Sequence, residues 1–95
     1  MTEELKNQIE DMMMRTRAAR NRLWAAQIAL ETKKHKIRSA LYAQKESGER
    51  KLTEEQIRSI SMVETEAENI AFLNTQADYE NAKESLEVLK LIASN

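Results

Sequence analysis

The chain has no cysteine, no proline and a single glycine, Gly48. Without cysteine there is no disulfide framework and no thiolate metal site, which suits an intracellular protein. His35 stands alone, with no second ligand at helical spacing, so no metal site is expected. No apolar run approaches the ~18 residues of a membrane-spanning helix. Near the start, Asp11, Arg15, Arg17, Arg20 and Arg22 interrupt every apolar run, which excludes a signal-peptide core. With one histidine, no thiol and no glycine-rich phosphate loop, neither catalysis nor a cofactor is expected. These absences describe a soluble, cytoplasmic, non-enzymatic chain that avoids the membrane.

What is present is charge. Charged residues make up 33% of the 95 residues, a composition typical of long helices or coiled coils, and the length allows one domain. From Leu5 the inward candidates follow a four-three rhythm: Leu5, Ile9, Met12, Thr16, Ala19, Leu23, Ala26, Leu30, Lys33, Ile37, Ala40. That is a heptad seam of about five repeats. It predicts a helix over about 3–46. Gly48 suits a left-handed cap, and Lys45 suits the negative end of the helix dipole.

After a turn over 47–53, the next helix start is equally legible. Thr53 and Gln56 form a capping box, and Leu52 and Ile57 a hydrophobic staple. Glu54 and Glu55 suit the positive end of the dipole. The second helix is expected over about 54–93, giving an all-α, long antiparallel helical hairpin, a two-helix coiled coil in a single domain 1–95.

Folding the chain about the turn brings Leu41 near Ile57, Ile37 near Ile60, Leu30 near Ala67, Met12 near Leu86 and Ile9 near Leu89. The second stripe then reads Ile60, Val63, Ala67, Ile70, followed by Tyr79, Ala82, Leu86, Leu89, Ala93, with Asn74 and Asn81 near the seam. Lys33 falls on the seam and is expected to snorkel to its rim. Met12 sits on the seam with Met13 and Met14 beside it as adaptable packing. One narrow seam hardly offsets a backbone ordering cost of ~1–2 kcal/mol per residue. Self-association into a helical bundle or ring is therefore expected, with Trp24, Ile28, Phe72 and Leu73 at the subunit contact.

Charge is segregated. Residues 1–14 carry −3, residues 15–51 carry +8 and residues 52–95 carry −6, summing to the net −1. Some of this charge has internal partners available across the hairpin. Lys33, Lys34 or Arg38 lie near Glu64, Glu66 or Glu68, and Arg15 or Arg22 near Asp78, Glu80 or Glu84. Exposed pairs of this kind are worth only ~0–1 kcal/mol each.

The outer face of the first helix, read in steps of three and four, carries Arg17, Arg20, Trp24, Ile28, Glu31, His35, Arg38, Tyr42 and Lys45. Cations neutralise phosphates and aromatic rings stack on unpaired bases. Candidate nucleic-acid contacts are therefore Arg17, Arg20, Lys34, His35, Lys36, Arg38, Tyr42 and Lys45. The competing reading is a structural or adaptor coiled-coil module whose basic face meets an acidic protein surface.

A Lys/Arg-rich helix closing on a leucine and an aromatic before a Ser-Gly turn (Lys33, Lys34, Lys36, Arg38, Leu41, Tyr42, Ser47, Gly48) leads into an acidic amphipathic helix with Tyr79, Leu86 and Ile92. Over about residues 20–93 this pattern resembles the UvsY-type recombination mediators of bacteriophages. The resemblance implies an oligomeric helical protein that binds single-stranded DNA in the bacterial host cytoplasm. It also implies work with a recombinase and a single-strand-binding protein during recombination or replication.

Overall fold

A computed structural model describes residues 2–95 as an all-α helical hairpin. Its first arm is α1 (Glu3–Ser47); the second is α2 (Glu54–Glu64) and α3 (Glu66–Ser94). Among the described residues there is no strand. The chain forms two compact units, Ala26–Phe72 around the turn and Met1–Ala25 with Leu73–Asn95 around the chain ends.

Each helix end follows from local chemistry. Thr2 opens α1, its Oγ1 accepting from the Leu5 N–H at 3.1 Å. At the other end Gly48 adopts φ +77°, and its N–H donates to the Lys45 carbonyl while the Arg50 N–H donates to that of Gln44, each at 3.3 Å. A Cβ at position 48 would meet nothing within 4 Å. Glycine is needed there for its left-handed backbone, not for space. The expected capping box is present. Thr53 Oγ1 accepts from the Gln56 N–H at 3.1 Å, and Gln56 Oε1 accepts from the Thr53 N–H at 2.9 Å. The staple is present too: Leu52 and Ile57 are buried with Leu41, and Ile37 and Ile60 pack against the three.

The α1 seam follows the expected rhythm as far as Ile37; beyond it Leu41, expected beside Ile57, is buried, while Ala40, also expected inward, is exposed. An α-helix turns every 3.6 residues, so a 3.5-residue repeat drifts and the inward position moves on by one.

The second arm departs further from expectation. The helix expected over 54–93 is divided at Thr65, which takes φ −106° and ψ 14°. The buried Ser61 carbonyl accepts both the Thr65 N–H at 3.1 Å and the Thr65 hydroxyl at 2.7 Å. A threonine bonded back onto the preceding turn bends a helix in this way.

The inward positions are Ile57, Ser61, Thr65, Glu68, Phe72 and then Thr75, Tyr79, Ala82, Leu86, Leu89, Ala93. Val63, Ala67 and Ile70, expected on the seam, are exposed, Val63 by 72%. Asn74 and Asn81 are exposed as well. The staple explains the correction: Ile57, only 2% exposed, is anchored inward, and steps of four from it reach Ser61 and Thr65, which leaves Val63 outside.

Candidate nucleic-acid interface

In the Ala26–Phe72 unit, α1 brings Lys34, His35, Lys36 and Arg38 together within two turns. Lys34 is half-buried and the other three are exposed. Among the described residues, Lys34, Lys36 and Arg38 take part in no ion pair. Their neighbour Lys33 does. Its ammonium lies 2.7 Å from Glu68 Oε1, a contact that the seam position of Lys33 anticipated. That hydrogen bond is the main reason the Glu68 carboxyl is held below its ordinary pKa, with its own backbone amide adding to the effect. The other Glu68 oxygen is buried with no partner.

Tyr42 and Lys45 are engaged in the same unit. The Tyr42 hydroxyl donates to Glu54 Oε2, and Lys45 Nζ donates to Glu54 Oε1 at 3.3 Å. Hydrogen bonds from Tyr42 and then Lys45 hold the Glu54 carboxyl below its usual range. The Tyr42 phenol is pushed up, first by its bond to Glu54 and then by desolvation. A helix-start glutamate thus latches the last turn of α1 to the first turn of α2. Of the four outward side chains nearest the turn, His35 and Arg38 remain outside this latch.

The unit Met1–Ala25 with Leu73–Asn95 holds the other candidates. The Arg20 guanidinium lies 5.2 Å from the centroid of the Trp24 ring, a cation–π arrangement. Arg17 and Arg20 also line a shallow groove of about 190 Å³ with Met13, Thr16, Tyr79 and Leu86. Arg15 pairs with Asp11 one turn back on its own helix, at 3.1 Å, instead of with an acid of the second arm. Arg22 is exposed and, among the described residues, makes no ion pair.

Of the expected contact residues, Trp24, Ile28 and Leu73 are exposed, whereas Phe72 is half-buried on the inward side of α3. Sequence reasoning missed Met62, Val88 and Leu91 and placed Val63 and Ile70 on the inner seam; all five are exposed large apolar side chains, as is Ile92. The signal was available: positions 63, 67, 70, 74, 77, 81, 84, 88 and 91 keep a four-three rhythm. Part of that rhythm was assigned to the inner seam. Arg50, beside Ser59 and Ile60 next to the turn, was also passed over.

Among the described residues, no helix is long and apolar enough to cross a membrane, and no three His, Asp or Glu side chains group as a metal site would require. The chain matches no known family, and no curated protein or solved structure is similar to it.

Proposed function

We propose that this chain is a non-enzymatic, self-associating helical module that binds single-stranded DNA through Lys34, His35, Lys36 and Arg38. The observation that carries it is the lack of ion pairs for the three cations of that cluster. Glu64 and Glu66 lie on the second arm of the same unit, yet Lys33 is the member of the basic run that is neutralised there. Lys34 and Arg38, one turn apart on α1, set two unpaired cations on one side of the helix, and Lys36 adds a third from another side, for the repeated charge of a phosphate backbone. The exposed imidazole of His35 adds a ring for an unpaired base.

Self-association is supported by where the apolar side chains lie. Among the described residues twelve large ones are exposed and five hydrophobic residues are buried, so an isolated hairpin leaves much apolar surface wet. The UvsY-type pattern in the sequence supports a role in recombination or replication, in the cytoplasm, beside a recombinase or a single-strand-binding protein.

An adaptor reading, in which the chain binds a protein and no nucleic acid, is favoured by the latch at Glu54. It removes Tyr42 as a stacking platform and occupies the Lys45 ammonium. Salt separates the two readings. Three phosphate contacts on a single strand give a log–log slope near −2, or roughly a 20-fold loss of affinity between about 50 and 200 mM salt. Anisotropy of a labelled oligonucleotide measures this, and Lys36→Ala/Arg38→Ala is expected to flatten the slope. No binding at the lower salt leaves the adaptor reading.

A further inference from the structure

The two arms of the unit Met1–Ala25 with Leu73–Asn95 each bury one stripe against the other, and each keeps a second stripe on the outside. On α1 that outer stripe carries Met14, Asn21 and Trp24, flanked by Arg15, Arg17 and Arg22. No acid occurs between Asp11 and Glu31. On α3 it carries Leu73, Val88 and Leu91, all more than half exposed, with the exposed Glu80, Glu84 and Glu87 between Leu73 and Val88, and Lys83 and Lys90 at its edge. No base occurs between Arg58 and Lys83. The α1 stripe keeps the four-three spacing of a helix-packing seam through Met14, Ala18, Asn21 and Ala25, and the α3 stripe does so through Ala77, Asn81, Glu84, Val88 and Leu91. Small residues, Ala18 and Ala25 on α1 and Ala77 on α3, lie along them and allow close approach.

Neither stripe suits a copy of itself. A symmetric contact through α3 would set Glu80, Glu84 and Glu87 against their own equivalents, and one through α1 would do the same with arginines. Such like-charge facings cost several kcal/mol. The two stripes do suit each other. We infer that a second copy of this chain docks the acidic outer face of its α3 onto the arginine-flanked outer face of α1, head to tail.

Because the contact is heterologous, assembly passes beyond a dimer to a closed ring or a continuing stack.

The inference rests on the self-association proposed above and is independent of nucleic acid. Sedimentation of the pure protein, free of DNA, tests it. Arg17→Glu/Arg22→Glu and Glu80→Lys/Glu87→Lys are each expected to weaken assembly by at least roughly 100-fold. An equimolar mixture of the two is expected to restore it, since each reversed face then meets its complement. Far-UV circular dichroism checks that both remain helical. A second pair, Trp24→Ala and Leu91→Ala, removes the apolar centre of each face and is expected to weaken assembly about 10-fold.

A wild-type protein that sediments as a monomer overturns self-association and this contact together. A wild-type protein that assembles, with helical reversal variants that assemble as well or a mixture that stays apart, overturns the head-to-tail contact alone. If the reversals unfold the protein, unchanged assembly of both alanine variants overturns it.

Discussion

The unit around the turn and the unit around the chain ends are made of the same two arms, but they finish their interiors differently. Among the described residues, six of the seven buried ones, Leu30, Leu41, Leu52, Ile57, Ser61 and Thr65, lie in the 26–72 unit; the other unit contributes Ala19. The ion pairs that join the arms, Lys33 to Glu68 and Lys45 to Glu54, also lie in the turn unit. At the chain ends, α3 half-buries Leu86 and Leu89 and leaves Val88, Leu91 and Ile92 exposed beside Glu80, Lys83, Glu84, Glu87 and Lys90. The turn unit has a buried cluster of its own while leaving Ile28, Met62, Val63 and Ile70 exposed. The end unit, which among the described residues buries Ala19 alone, instead carries the apolar side chains that a neighbouring copy is proposed to cover.

The contrast can be broken at its strongest point first. Ile57→Ala empties the turn cluster and is expected to lower stability by about 2–4 kcal/mol in urea titration. Gly48→Ala is expected to lower it by about 1–2 kcal/mol, because an L side chain resists the left-handed backbone while meeting no clash. Leu91→Ala sharpens the contrast in the opposite sense. In dilute protein its unfolding free energy is expected to stay within about 0.5 kcal/mol of wild type, even as it weakens assembly.

The smallest expected effect is the pH response. Glu68 and Glu54 titrate below the ordinary carboxylate value of 4.5, so on acidification the unfolded chain takes up their protons first. Their contribution is complete above about that pH and is lost as pH falls through the lower folded values. Tyr42 has the opposite sign. Its contribution is complete below its ordinary 10.0 and is lost as pH rises through the raised folded value. Thermal melts from neutral to acid pH are expected to fall less steeply for Glu68→Gln than for wild type. Equal slopes would show that the Lys33 contact adds no pH-dependent stability.

The first arm and the turn were legible because several local signals agree there. The heptad of α1, the Gly48 cap, the Thr53–Gln56 box and the Leu52–Ile57 staple all specify the same geometry. The second arm offers two rhythms, and the more apolar of them, through Val63, Ala67 and Ile70, faces outward. Apolar content alone favours the wrong one. The phase is set by the inward anchor at Ile57, and Thr65 tolerates burial because its hydroxyl bonds the Ser61 carbonyl. The basic cluster was legible from charge, but the loss of Tyr42 and Lys45 to Glu54 was not. That latch depends on side-chain directions across a turn, which linear spacing does not carry.

The open space around Gly48 has a practical meaning. A Cβ added at Gly48 would meet nothing within 4 Å, and exposed loop tips accept inserted sequence. A fluorophore or affinity tag placed after Gly48, at exposed Glu49, would report on binding and assembly without displacing a packed side chain.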